Sequence, residues 1–563
     1  MAKEVKIKHL LTECGEKLCG GEWDVYPRPT LVRESFYSLN GKWQLTATDG
    51  TDYEINVPYP PESVLSGVGH SMGKRPHLLY RRKFTLPDGF VRDRVILHFG
   101  AVDQIATVTL NGKCLGTHVG GYGHFSFDIT DSLKGENELT VEVVDNLCDK
   151  ILPYGKQRED RGGMWYTPVS GIWQTVWLES VPENYVKKLN ITTEANAVTI
   201  EAEGVADGIV TVRMPDGDII APFSDGRATV GIEKPVMWTP ENPYLYEFTI
   251  TAGEDTVSSY FALRTLEISD VDGIPRILLN GKPYFFHGVL DQGYFSDGIF
   301  TPATPEEYKR DIMTMKALGF NTLRKHIKLE PEIFYHYCDK LGMVVFQDMI
   351  NNSDYSFFRD TALPTIGVKR LSDKHLHKNQ KSRKAFEDCM REIVDTLRNH
   401  PSVCYYTIFN EGWGQFCGDE MYRLMKSLDK TRIIDTTSGW FFGADSDVES
   451  LHVYFKPVKI KPSHKPIILS EFGGYSYKPS GHVANEEKTY AYAFYETAEG
   501  LEDAFVALYE NEVIPQIKTG LCGAIYTQLS DVEDETNGLV SYDRKVVKMD
   551  AERLSAIAGR LKI

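Results

Sequence analysis

Ser402-Val403-Cys404-Tyr405-Tyr406-Thr407-Ile408-Phe409-Asn410-Glu411-Gly412 opens as an almost wholly apolar run and closes on an amide, a carboxylate and a glycine. A short run rich in Val, Ile, Tyr and Phe predicts a strand covered on both faces, as in a parallel sheet flanked by helices. Packing gives no reason for Asn-Glu at the end of such a strand, because an unpaired buried carboxylate costs several kcal/mol. The pattern recurs further along. Pro466-Ile467-Ile468-Leu469-Ser470 is a second apolar strand, and it ends on Glu471 before Phe472-Gly473-Gly474.

Working outward, the half of the chain from residue 269 to 563 alternates apolar strands with helical patterns, the mark of repeated β-α units. Eight strands are expected: Tyr284–Val289, Asn321–His326, Met343–Asp348, Val403–Glu411, Arg432–Thr436, Leu451–Tyr454, Ile467–Glu471 and Ala524–Asp531. Thr304-Pro305-Glu306-Glu307 is the pattern of a capping box with Pro at the first helical position. The helix after it carries Tyr308, Ile312, Met315 and Leu318 on one face. Eight such units predict a (β/α)8 TIM barrel, whose active site lies at the C-terminal ends of the strands. Glu411 and Glu471 both fall there, on the fourth and seventh strands. Two carboxylates on facing strand ends are what cleavage of a glycosidic bond requires. The stretch 350–380 is expected as a long loop over that face.

Upstream, residues 1–181 read as short alternating strands with Gly and Asn turns, Asn111-Gly112 being the strongest turn signal, and predict a jelly-roll β-sandwich. Residues 182–268 alternate in the same way over a shorter length and suit an immunoglobulin-like β-sandwich. The 563 residues are too many for a single core, and roughly three domains is the prior. A net charge of −17 weighs against nucleic acid or an anionic membrane as partner. The nine cysteines are scattered with no Cys-x-x-Cys pair, so neither a disulfide framework nor a metal site is expected. The start, Met1-Ala2-Lys3-Glu4-Val5-Lys6, lacks a signal peptide's apolar core, and no run approaches the roughly 18 apolar residues of a membrane span. A cytoplasmic protein is expected.

Several motifs carry a resemblance to one family. They are Trp165-Tyr166-Thr167-Pro168-Val169-Ser170-Gly171-Ile172-Trp173-Gln174, Phe261-Ala262-Leu263-Arg264, Leu279-Asn280-Gly281-Lys282-Pro283 with Gly288-Val289, Asn321-Thr322-Leu323-Arg324, His400-Pro401-Ser402-Val403, Asn410-Glu411 and Ser470-Glu471-Phe472-Gly473. In this order the chain resembles glycoside hydrolase family 2, which includes β-galactosidases, β-glucuronidases and β-mannosidases. The resemblance implies an exo-acting retaining β-glycosidase, with Glu411 as general acid/base, Glu471 as nucleophile and Asn410 on the sugar 2-hydroxyl. It requires no cofactor, and it allows a homo-oligomer without fixing a subunit count. A β-mannosidase, or a catalytically inactive carbohydrate-binding protein, is the rival expectation.

Around the pair, Tyr454 is expected either to donate a hydrogen bond to Glu471 or to pack as a core tyrosine. Trp413 and Trp440, beyond strand ends, are either platforms for a sugar or lid packing. Arg324, His326 and Lys328 alternate out of the second strand, which predicts that all three face the barrel mouth. Lys328 is there either a reader of a uronic acid carboxylate or a solvent-facing lysine. Asp291 and Asp348 end the first and third strands, as sugar-binding or rim carboxylates. Two departures from the family stand out. Gly288 is followed by Val289-Leu290-Asp291 rather than a His-Glu pair, and Asp531–Lys545 lacks the glucuronidases' Asn-x-Lys reader. A galactosidase, or a uronidase using Arg324 or Lys328, is left open.

Overall fold

The computed structural model describes residues 8–147, 149–363, 372–439 and 445–563. Its N-terminal part is a sandwich of two antiparallel sheets. The larger has six strands in the order Asp52–Val57, Gly41–Thr46, His77–Phe84, Asn137–Val144, Ile105–Leu110, Lys113–Val119. Facing it are Tyr37–Ser38, Val176–Val181, Arg94–Phe99 and Phe125–Asp128. Alternation sends Trp43, Leu45, Leu97, Val108, Val141 and Leu178 into the space between the sheets, all buried. Asn111 and Gly112 both have positive φ, 53° and 83°, as a two-residue hairpin turn between right-twisted strands demands.

The second sandwich packs Lys188–Thr193, Ala197–Glu203 and Arg227–Gly231 against Ile219–Phe223, Gly208–Val212, Tyr246–Ala252 and Asp255–Phe261. It is tied to the next unit by Arg264, whose guanidinium donates to the carbonyls of Pro401 (2.6 Å) and Val403 (2.7 Å) at the start of a barrel strand. A hairpin, Leu266–Val271 with Ile274–Leu279, follows. Its Arg276 donates to Leu521 O and Ile517 O, so it docks at the end of the barrel away from the glutamates.

Eight parallel strands then form the barrel: β1 (Phe286–Asp291), β2 (Thr322–Lys325), β3 (Val344–Asp348), β4 (Val403–Asn410), β5 (Ile433–Ser438), β6 (Glu449–Val453), β7 (Ile467–Gly473) and β8 (Leu521–Thr527). The hydrogen-bonded order β5-β4-β3-β2-β1-β8-β7-β6 leaves one seam, between β5 and β6. Every residue of β4 is buried, as its apolar run predicts. Helices α1 (Glu306–Ala317), α2 (Glu332–Leu341), α3 (Gln380–Leu397), α4 (Gly418–Leu428) and α5 (Ala498–Leu508) cover the outside. Among the described residues no helix separates β5 from β6 or β6 from β7. Tyr308, Ile312 and Met315 of α1, with Leu318 at its C-terminal cap, lie in the core as expected.

The capping box does not form. Among the described residues the Thr304 hydroxyl caps no N–H of the first turn, and Glu307 reaches back instead to the N–H of Ala303 at 2.8 Å, because the helix begins only at Glu306. The last strand also lies earlier than expected, at Leu521–Thr527, and Gln528–Asp531 already belongs to the loop beyond it. No helix among the described residues is long and apolar enough to cross a membrane.

The first sandwich docks on the mouth of the barrel. Trp23 Nε1 donates to Pro302 O and the Tyr59 hydroxyl to Ala303 O, both in the loop after β1. The N–H groups of Tyr154 and Gly155 donate to Asn351 O, and the Tyr154 hydroxyl to Ser353 O, both after β3. One side of the mouth is therefore built by another domain.

Candidate active site

Arg324 is the hub. It lies on β2 with 0% exposure, and burial of a guanidinium is tolerated only where its donors are met. Nε donates to Asp348 Oδ1 (2.9 Å) and Nη1 to Glu471 Oε1 (2.9 Å) and Ser470 O (3.0 Å). Nη2 donates to Asn410 Oδ1 (2.9 Å) and Ser438 Oγ (3.2 Å). The carboxylates beside it hold the guanidinium protonated against the pull of burial.

Glu471 sits within β7, where Oε1 takes Arg324 and Oε2 accepts the Tyr454 hydroxyl at 2.6 Å. The same hydroxyl lies 3.0 Å from Thr527 Oγ1, and the Tyr454 ring stacks on Tyr492 at 3.8 Å between centroids. Burial pushes the Glu471 carboxyl up, but His452, Arg324, His326 and Tyr454 outweigh it and hold the group down at about 2.

Glu411 follows the last residue of β4 with φ +52°, a left-handed conformation uncommon for a residue with a side chain. The turn aims its carboxyl at His452, whose Nδ1 lies 2.8 Å from Oε1. His452 Nε2 is 3.5 Å from Glu471 Oε1, so one imidazole stands between the two carboxyl groups. One oxygen of Glu411, one of Glu471 and a His452 nitrogen all lie within 4.8 Å of one another. That spacing would admit a cation, although Arg324 and Tyr454 already engage both Glu471 oxygens.

Asn410 and Asp348 are thus brought to the pair, and His326 joins them through Nδ1 at 2.6 Å from Asp348 Oδ2. Burial, then Lys156, pulls His326 down to about 4, so near neutrality it donates as a neutral ring. Asp348 is raised by burial but lowered on balance by Arg324 and His326.

Lys328 departs from expectation. β2 stops at Lys325, and Ile327 takes φ +55°, so the alternation that would aim Lys328 into the mouth is broken. The Lys328 ammonium donates instead to Gly293 O (2.5 Å), Phe300 O (2.7 Å) and Glu330 (2.9 Å), and the residue is 1% exposed. Its three donors are spent inside the fold. Asp291 receives Lys325 Nζ (2.6 Å) on one oxygen and the Gly293 N–H (2.9 Å) on the other, making a buried ion pair beside the barrel rather than a free acceptor.

Trp413 is buried against Trp165 (5.3 Å, stacked) and Tyr355 (5.2 Å, edge-on), so it forms part of the wall rather than a bare platform. Trp440 lies outside the described residues, as does part of the 350–380 loop.

Three groups escape a reading of the motifs. His452 shares strand parity with Tyr454 two residues on, a usable signal. Glu535, after β8, accepts from the Tyr166 hydroxyl and from Asn537 Nδ2 (3.0 Å). Lys156 comes from the first sandwich and holds its ammonium 4.6 Å from the centre of the Trp413 ring.

Comparison with known proteins agrees with this architecture. Residues 71–188 match the galactose-binding domain-like unit of glycosyl hydrolase 2, 183–264 match glycosyl hydrolases family 2, and 271–549 match that family's TIM barrel domain. A β-galactosidase of Thermoanaerobacter pseudethanolicus is 24% identical over 71% of this chain and 54% of its own length. A β-glucuronidase of Felis catus is 25% identical over 78% of this chain and 73% of its own. The chain spans about half the length of most of the curated relatives it matches. Among solved structures, a β-D-glucuronidase of Dictyoglomus thermophilum has the same fold, with a TM-score of 0.73 at 19% identity over 95% of this chain and 98% of that one. With its three units matched in order and its two glutamates at the end of β4 and on β7, the chain belongs to glycoside hydrolase family 2.

Proposed function

We propose that the protein is an exo-acting, retaining β-glycosidase that removes a terminal β-linked hexose or hexuronic acid. The observation that carries the reading is the spacing of Glu411 and Glu471, whose nearest oxygens lie within 4.8 Å. A retaining mechanism needs carboxyl groups about 5–5.5 Å apart, whereas an inverting one leaves about 6.5–9.5 Å for a water. Their surroundings support different roles. Glu471, held ionised by Arg324 and Tyr454, attacks the anomeric carbon as nucleophile. Glu411, which meets no Lys or Arg within ion-pair distance among the described residues, delivers a proton to the leaving oxygen. The glycosyl group passes to Glu471, the aglycone departs with the proton, and Glu411 then takes a proton from the water that releases the sugar.

Asn410, oriented by Arg324 and Ser438, faces the pair and serves the sugar's 2-hydroxyl. Trp165, Tyr355 and Trp413 pack together as a wall beside Glu411. We divide the chain into units at residues 1–181, 182–268 and 269–563. Eight cysteines among the described residues are unpaired, which supports a reducing, cytoplasmic setting.

Initial rates on aryl β-galactoside, glucoside, mannoside, glucuronide and galacturonide test the reading, with Glu411→Gln beside the native chain. The variant should lose roughly 10²–10⁴-fold on poor leaving groups and far less on activated ones. Full activity in the variant, or no cleavage of any sugar, would remove the assignment and favour a carbohydrate-binding protein.

A further inference from the structure

Lys156 is a cation from outside the barrel placed in its mouth, with its ammonium over the face of Trp413 (4.6 Å). The residue is 6% exposed, and among the described residues its ammonium makes no hydrogen bond or ion pair. Its strongest charge neighbours are Glu535, Glu471 and Glu411 in that order, and their attraction opposes the burial that draws the lysine below its usual range. The ring face offsets only part of the cost of burying an ammonium without a hydrogen bond, so its place needs a reason.

The loop that holds it is rigidly set. Gly155 has φ +66°, and a Cβ there would meet Ile327 O and the Tyr122 hydroxyl, each at 2.9 Å. Tyr154 and Gly155 are pinned to Asn351 O, and Gln157 to Asp103 Oδ2 (2.9 Å) and the N–H of Val169 (2.7 Å). The ammonium is therefore presented by backbone that is fixed on both sides, as a preorganised binding group should be.

In contact with this segment through Tyr166 and Thr167 is the loop after β8, which carries Asp531, Glu533, Asp534 and Glu535, all buried. Asp531 pairs with Lys548 (2.6 Å), and Glu533 and Asp534 with Arg161 (3.6 and 3.3 Å). Glu535 alone of the four has no cation within ion-pair distance among the described residues, and it is oriented by Tyr166 and Asn537. Tyr166 joins the two loops, its N–H donating to Lys156 O (3.1 Å) and its hydroxyl to Glu535, yet the ammonium and the carboxylate form no ion pair among the described residues. A sugar hydroxyl suits a place between the two, since it accepts from an ammonium and donates to a carboxylate. A uronate carboxylate suits it poorly, because it would bring a further negative charge beside Glu535 and Glu471 with one open cation to offset it.

We propose that Lys156 and Glu535 form a hydroxyl clamp that selects a neutral hexose as the sugar cleaved. The proposal rests on the glycosidase reading above and narrows its substrate class.

The test is a panel of p-nitrophenyl β-hexosides, β-hexuronides and single-deoxy β-hexosides, run on the native chain, Lys156→Met and Glu535→Gln. The native chain should favour a neutral hexoside. Losing a hydrogen bond to a charged group is expected to cut kcat/KM on it roughly 10- to 150-fold in either variant. The deoxy substrate that lacks the clamped hydroxyl should be poor with the native chain and no poorer with the variants. Thermal unfolding of both variants controls for folding. A native preference for a uronide that Lys156→Met abolishes would overturn the proposal and make Lys156 a carboxylate reader, and unchanged kcat/KM in both variants would overturn it too. Labelling of Glu471 by activated 2-deoxy-2-fluoro glycosides needs only the nucleophile. Labelling with no effect of the variants sinks the clamp alone, whereas no labelling and no turnover sinks the glycosidase reading.

Discussion

Tyr454→Phe removes a single oxygen from the site and little else. The ring keeps its stack on Tyr492, at 3.8 Å, and the hydroxyl's other neighbour, Thr527, is itself neutral. What is lost is one 2.6 Å hydrogen bond to an ionised carboxylate. Such a bond contributes about 1.5–3 kcal/mol, which is a factor of roughly 10–150 in rate or about one to two pH units in the carboxyl's titration. The effect falls unequally on the two half-reactions. Glu471 is neutralised when the glycosyl-enzyme forms, so the bond weakens in the first step. It re-forms as the carboxylate departs in the second, and there it stabilises the leaving group. Tyr454→Phe should therefore lower kcat by about 10–150-fold on activated aryl glycosides, with a smaller loss in kcat/KM and a burst of aryl product near one per enzyme. The sign of the pH effect is also set. The Tyr454 hydrogen bond adds to His452, Arg324 and His326 in holding the carboxyl down at about 2, so its removal raises the titration, and the acidic limb of kcat/KM should move up by about one to two pH units. Stopped-flow release of p-nitrophenol and a pH–rate profile measure both. Equal losses in kcat and kcat/KM with no burst would refute the assignment of Glu471 as a leaving carboxylate held by Tyr454.

Arg324→Met should destabilise the fold by about 3–5 kcal/mol, because Asp348 and Glu471 lose their buried counter-ion; urea unfolding at pH 7 would measure it. His400 lies 2.7 Å from Asp339, and although burial lowers it, Asp339 and Glu332 hold it up at about 9. A raised value in the fold gives stability that is complete below about 6.5 and fades as pH rises through 9, so about 3 kcal/mol should be lost over that window and the loss should vanish in His400→Asn. Gly155→Ala should cost about 1–3 kcal/mol and displace the loop bearing Lys156, since φ +66° and two contacts at 2.9 Å leave no room for a methyl group. A crystal structure of that variant with an unmoved Lys156 would contradict it.

Why some of this was readable in the chain and some not follows from the range of each interaction. β4 and β7 are covered on both faces, so their apolar runs and the polar ends that break them are local signals. The alternating strands of the two sandwiches are equally local, and so is the buried face of α1. Parity fails where the backbone leaves its strand. Arg324 and His326 reach Asp348 as alternation implies, but Ile327 turns and Lys328 goes to Glu330. Thr304-Pro305-Glu306-Glu307 has the residues of a capping box, yet the helix starts too late to use Thr304. Lys156 carries no local signal at all. Its position at the mouth depends on how the first sandwich docks, through contacts between residues such as Tyr154 and Ser353 that are far apart in the chain.

The same reasoning explains why the centre of the site is an arginine. A guanidinium has five N–H donors in a fixed plane, whereas an ammonium has three on a flexible stem. Arg324 spends its donors on Asp348 of β3, Asn410 of β4, Ser438 of β5 and Ser470 and Glu471 of β7, while itself standing on β2. It thereby fixes the nucleophile and the 2-hydroxyl reader to one rigid group, and it does so at the ends of strands whose spacing the barrel already sets. A lysine could neutralise Glu471 or Asp348 but could not hold Asn410 in register at the same time. The charge that keeps Glu471 ionised and the geometry that aims Asn410 are in this way one feature of the fold, and losing either should lose both.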